Sequence, residues 1–252
     1  MITGVLVAFA AAFLAGAINS VAGGGTLLTF PALVWLGLPS VTANATSTVS
    51  IWPGSMGAMW GYRKELKAVN PRFYLLAIPS IVGGITGAIL LRLTPPPIFD
   101  QLVPLLILFA TVLFAVQDPI QRRFGPGQHA PHQRGWMAGA MLFQLGVSIY
   151  GGYFGAGMGI LMLAALGIMG MDDIHEMNAI KTFLALFING VAAAYFVMMG
   201  MVSWWQAVPL IAGSIAGGLW GAGFARRIGR QGVRIAVIVI GVGMALSLAV
   251  LR

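Results

Sequence analysis

Ala77-Ile78-Pro79-Ser80-Ile81-Val82-Gly83-Gly84-Ile85-Thr86-Gly87 returns 130 residues later as Ala207-Val208-Pro209-Leu210-Ile211-Ala212-Gly213-Ser214-Ile215-Ala216-Gly217. Alanine, proline, two isoleucines and two glycines keep step. Both copies sit inside long apolar runs. A hydrophobic unit that recurs with its proline and glycines is the mark of a membrane protein assembled from internal repeats.

Composition agrees. Fifty-nine per cent of the residues are hydrophobic and 8% are charged, with a mean hydropathy of +0.91. A soluble domain carries about 25% charged residues, because its surface must face water. This chain cannot cover such a surface, so the lipid bilayer is its solvent. The net charge of +8 falls in short loops between apolar runs, which reads as membrane topology and not as nucleic-acid binding. There is no cysteine, hence no disulfide, thiol chemistry or cysteine-based metal site. The apolar start lacks a basic n-region, so residues 3–22 are expected to stay as a membrane segment.

Working outward, apolar segments run at about 3–22, 25–37, 43–61, 72–92 and 99–117. A polar stretch follows, and then 135–153, 156–170, 177–199, 204–224 and 233–251. The expected organisation is a first membrane repeat (1–117), a cytoplasmic linker (118–134) and a second repeat (135–252). Asn44-Ala45 matches Asn178-Ala179 at a spacing of 134, and Gly23-Gly24-Gly25 matches Gly155-Ala156-Gly157 at a similar one. In each half a full-length run meets a glycine cluster and then a run of only about 13 residues, marginal for crossing about 30 Å of hydrocarbon. Each pair is expected to be a broken or re-entrant helical hairpin, its unwound backbone received by protein or a water-filled cavity. The fold class is therefore all-α and polytopic, each repeat a hairpin plus three transmembrane helices.

Charge sets the orientation. Arg63, Lys64, Lys67 and Arg72 mark one cytoplasmic loop, Arg122, Arg123 and Arg134 the linker, and Arg226, Arg227, Arg230 and Arg234 another loop. In the first half the basic loop precedes the Ala-x-Pro segment; in the second it follows. The repeats are therefore expected to be inverted, with both termini outside. Small residues at helical spacing (Gly83/Gly87, Gly57/Gly61 and Gly213/Gly217/Gly221) predict close helix packing.

The glycine clusters are also candidate chemistry. Each starts a short helix, and free N–H groups at a helix start form an anion site. In transporters such half-helix ends point at substrate. No Gly-Lys-Ser/Thr follows the first cluster, and Gly155-x-Gly157-x-Gly159 is not a dinucleotide fingerprint. Lys181 is the sharpest single residue: a lysine well inside a spanning helix costs on the order of 2.5–3.5 kcal/mol, so it implies a cavity or an anionic partner. Asn44, Thr46, Ser47, Thr48, Ser50 and Ser55 make a dense polar set for a membrane helix. By the repeat register Ser47 corresponds to Lys181 and Ser55 to Asn189. The candidate substrate-binding set is Asn19, Gly23, Gly24, Gly25, Thr26, Asn44, Thr46, Ser47, Ser55, Gly155, Gly157, Asn178, Lys181 and Asn189. All six acids lie at segment ends or in loops, leaving no evident mid-membrane proton or sodium carrier. No catalytic motif, metal cluster or cofactor signature appears, so neither an enzyme nor a bound cofactor is expected.

These residues resemble the sulfite exporter TauE/SafE family, also called the toluene sulfonate uptake permease family. The resemblance covers nearly the whole chain. It rests on Gly23-Gly24-Gly25 leading to Pro31 and Gly37-Leu38-Pro39, on Ala43-Asn44-Ala45-Thr46-Ser47, and on Asn178-Ala179-Ile180-Lys181 with Asn189-Gly190 and Gly200-Met201-Val202-Ser203-Trp204. Two places depart: the second glycine cluster is interrupted by Ala156, and Ala164 stands where the first copy has Pro31. The resemblance implies a multi-pass transporter of the bacterial inner membrane for sulfite, a sulfonate or a related small anion, by export or facilitated diffusion. Proton-coupled transport of another small organic anion and an intramembrane lipid-phosphate enzyme are the alternatives. The expected partners are the small anionic substrate and the lipid bilayer, with no nucleic acid; a homo-oligomer is left open.

Overall fold

The structure is a computed structural model that describes residues 2–21, 25–116, 119, 136–171, 173–219, 238–239 and 241–243. Regular structure among them is entirely helical. The elements are α1 (Ile2–Val21), α2 (Thr26–Trp35), α3 (Ser40–Gly61), α4 (Arg63–Ala68), a 3-10 turn (Pro71–Leu76), α5 (Ala77–Leu93), α6 (Pro96–Ala115), α7 (Trp136–Tyr153), α8 (Met158–Ile168), α9 (Ile174–Met198) and α10, described over 204–219.

Local sequence sets these boundaries. Asp173 caps α9 by accepting from the His175 and Glu176 amides at 2.6 and 3.2 Å. Proline occupies the first turn of α6, where no N–H is needed. Gly37 and Gly170 end the short helices α2 and α8 in the left-handed region, at φ 88° and 83°. Leu38 then donates to Leu33 and Met171 to Leu166, at 3.1 Å each, the cross-bond of a Schellman cap. The two halves thus stop their short helices in the same way.

Among the described residues, three helical stretches are long and apolar enough to cross a membrane: Pro71–Leu93, Pro96–Leu113 and Ile174–Met198. With 10 and 11 residues, α2 and α8 reach only about 15–17 Å at 1.5 Å per residue, roughly half the hydrocarbon thickness. Large apolar side chains such as Leu6, Ile78, Leu93, Leu105, Leu142 and Val208 are exposed. In water that surface would aggregate, whereas lipid accepts it. The chain is an all-helical polytopic membrane protein.

The glycines show how the halves pack. A Cβ at Gly87 would lie 2.1 Å from the Ile149 carbonyl on α7, and one at Gly217 2.0 Å from the Phe13 carbonyl on α1. Gly84 backs onto Ile188 of α9, and Ser214 lies against Gly54 of α3. The Ala-x-Pro helix of each half therefore packs on the hairpin and the polar helix of the other. Among the described residues Gly57 and Gly61 do not join a seam, contrary to the spacing argument. A Cβ at Gly57 would meet only the Leu219 side chain, at 3.7 Å, and one at Gly61 nothing within 4 Å, because that end of α3 is exposed.

Two other features differ from the segment reading. Residues 71–76 form a 3-10 turn before α5, introduced by Asn70 accepting from the Arg72 amide. The basic loop contains α4, made of good helix formers. Gly221, most of the linker 118–134 and most of the segment 233–251 lie outside the described residues.

Candidate binding cavity at Lys181

A cavity of about 50 Å³ lies among α1, α2, α3, α9 and the start of α8. Asn19, Gly25, Thr26, Ser55, Gly155, Lys181 and Asn189 of the sequence-derived set line it. Gly23 and Gly24 lie outside the described residues.

Lys181 is only 4% exposed. Its Nζ donates to Asn178 Oδ1 at 2.8 Å, and that is its one hydrogen-bond partner among the described residues. An ammonium has three donors, so two are left on the cavity side. Asn189, 6% exposed, has no side-chain partner among the described residues. Ser55 and Thr182 donate to their own helix, at Ile51 O (3.4 Å) and Asn178 O (2.7 Å). Their hydroxyl protons are therefore engaged, and the side-chain donors left on the described lining are the Lys181 ammonium, the amides of Asn19 and Asn189 and the Thr26 hydroxyl.

Two helix starts add backbone donors. The first N–H groups of a helix have no intrahelical acceptor, and Thr26 of α2 and Gly159 of α8 line the same cavity, whereas the Met158 amide beside them donates to the Gly155 carbonyl at 3.3 Å. Their macrodipoles favour negative charge there. No carboxylate is among the described lining residues. One cation, amide donors and two positive helix ends make a receptor for a compact anion.

The remaining set members lie beside the cavity. Asn178 holds the Lys181 ammonium. Asn44 Nδ2 donates to the Tyr153 carbonyl at 2.8 Å, tying α3 to the end of α7. Ser47 and Thr29 share a hydrogen bond of 2.6 Å, and Thr46 Oγ1 accepts from the Ser203 amide at 3.0 Å. Gly157 begins α8 with φ 77°. Gly16, Gly54, Met158, Gly159 and Thr182 also line the cavity and were absent from the sequence-derived set. Thr182 was within reach, since the 134-residue register pairs it with Thr48.

The family model described as sulfite exporter TauE/SafE matches residues 8–248. The chain is 27% identical to a probable membrane transporter protein of Haemophilus influenzae over 235 residues, 92% of this chain and 89% of the relative. It is 25% identical to the probable membrane transporter protein ORF9 of a Sinorhizobium species, covering 95% and 90%. It is likewise 25% identical to the probable membrane transporter protein YfcA of Escherichia coli K12, covering 98% and 90%. No solved structure matches. These names describe membrane transporters and not enzymes. A helical, lipid-facing chain whose matched region spans nearly its whole length belongs to the sulfite exporter TauE/SafE family.

Proposed function

We propose that this transporter carries a small sulfur oxyanion, sulfite or a compact sulfonate, across the bacterial inner membrane through the cavity at Lys181. The observation that carries the reading is a buried ammonium with one neutral partner, facing a cavity into which two helices start. An oxyanion accepts several hydrogen bonds and offers few, which suits a site of N–H donors. The volume supports a small ligand. About 10–15 Å³ is needed per water on this scale, so 50 Å³ suits an ion of a few heavy atoms.

We also propose that the chain is two inverted repeats, 1–117 and 135–252, around a cytoplasmic linker, crossing the membrane several times with both termini outside. Reciprocal contacts support this arrangement: Gly87–Ile149 is answered by Gly217–Phe13, and Gly84–Ile188 by Ser214–Gly54. Exchange of that kind is what a two-fold axis generates. Charge favours export or facilitated diffusion. A potential of 100 mV, negative inside, is worth about 2.3 kcal/mol per charge, which expels a monoanion roughly 50-fold at about 1.4 kcal/mol per decade.

The test is flux of labelled sulfite and a small sulfonate in proteoliposomes under an imposed potential of either sign. Potential-dependent flux that Lys181→Ala abolishes in a folded protein supports the reading. No flux of any sulfur anion under either potential refutes it.

A further inference from the structure

Thr48 Oγ1 donates to the Asn44 carbonyl at 3.0 Å, and Thr182 Oγ1 to the Asn178 carbonyl at 2.7 Å. The same bond recurs 134 residues on. Trp52 Nε1 meets the Leu186 carbonyl across that same spacing, at 3.0 Å. In this register Asn44 answers to Asn178, and Ser47 stands where Lys181 stands. The two sites then diverge. In the second half the Lys181 ammonium sits on Asn178 Oδ1. In the first, Asn44 is 1% exposed, its Nδ2 is committed to the Tyr153 carbonyl, and its Oδ1 is buried with no hydrogen-bond partner. Ser47 carries a neutral hydroxyl, which is bonded to Thr29.

The surroundings of that oxygen favour positive charge. Tyr153 is the last residue of α7, so Asn44 sits at a helix C-terminus, where unsatisfied carbonyls and the negative end of the dipole attract cations. Half-helix C-terminal ends at membrane depth are coordination points for coupling ions. The two oxygens shown there, the Asn44 amide oxygen and the Tyr153 carbonyl, are neutral. They suit a monovalent cation better than a divalent one, whose tight sites are built with carboxylates.

We propose that Asn44 Oδ1, at the C-terminal end of α7, binds a free monovalent cation, which holds in the first half the place the Lys181 ammonium holds in the second. This deepens the transport reading: such an ion is the coupling partner that anion export does not need and anion uptake does. It rests on that reading for its use but not for its binding. Binding is measured without any anion, so failure of sulfite flux and failure of the cation site are separate results.

The experiment uses the purified full chain in nanodiscs. Binding of labelled sodium is measured, and thermal stability is compared in sodium, potassium and choline chloride at equal ionic strength, at pH 6 and pH 8. Saturable stabilisation by sodium or potassium over choline identifies a metal cation. Stabilisation in choline at pH 6 over pH 8 identifies hydronium as the occupant. Either effect is expected to fall more than tenfold in affinity in Asn44→Leu. It is expected to tighten about tenfold in Asn44→Asp, which keeps the oxygen and adds charge. Ser47→Lys, which supplies a tethered ammonium, is expected to make the protein indifferent to free cations. Equal stability in all three salts at both pH values overturns the proposal, as does a cation effect that survives Asn44→Leu. Should Asn44→Leu fail to fold, an Asn44→Asp protein with unchanged affinity overturns it equally.

Discussion

Lys181 and Asn189 differ in what their loss should do. Removing the ammonium takes the only charge from the described lining of the cavity, so Lys181→Ala is expected to lower anion flux at least a hundredfold. A charge-assisted hydrogen bond is worth about 1.5–3 kcal/mol, and the long-range attraction goes with it. Asn189→Leu removes one neutral donor and should raise the half-saturating sulfite concentration about tenfold while leaving the maximal rate within a factor of three. An Asn189→Leu protein with unchanged concentration dependence would place the anion elsewhere in the cavity. Lys181 was legible because charge within an apolar run is costly, and Asn189 because the repeat register pairs it with Ser55. The partners of Asn44 and Thr46 were not legible. The Tyr153 carbonyl lies 109 residues from Asn44 and the Ser203 amide 157 from Thr46. Local pattern shows that such side chains are polar, not which distant backbone they meet.

At the scale of single helices, the glycine seams make a graded prediction. A side chain at Gly87 or Gly217 meets main-chain atoms that cannot swing aside. Gly87→Val and Gly217→Val should therefore each destabilise by about 3 kcal/mol, the upper end for overpacking, and lower the unfolding temperature in detergent. Gly61→Ala meets nothing within 4 Å and should be neutral or raise stability by up to about 1 kcal/mol through helix propensity. Equal effects at all three positions would contradict the seam. The shortness of α2 and α8 was readable from their apolar runs. The failure at Gly57 and Gly61 has a plain cause: four-residue spacing places two glycines on one face but does not say whether a helix lies opposite.

For the whole molecule, the sequence contains no cysteine, so single cysteines can be placed on an otherwise native background. Lys67→Cys and Arg230→Cys are both expected to react with a membrane-impermeant reagent from the cytoplasmic face, and Thr94→Cys from the other. Labelling of positions 67 and 230 on opposite faces would contradict the inverted arrangement. The recurrence of Ala-x-Pro and the glycines in register was legible. That each copy packs against the opposite half was not, since a repeat shows which parts are alike and not which parts touch.

That exchange bears on how the protein is made. The glycine face of α5 finds its closest neighbour in α7, beyond the linker, and α1 finds one of its own in α10. While the ribosome is still translating the linker, the first half sits in the bilayer with its small-residue grooves open to lipid. Neither half then has its final neighbours, and α1 is sealed by α10, which is made only after the linker. Truncated chains ending before residue 204 should therefore reach the membrane yet be cleared by its proteases, while the missing piece supplied as a separate chain should rescue them.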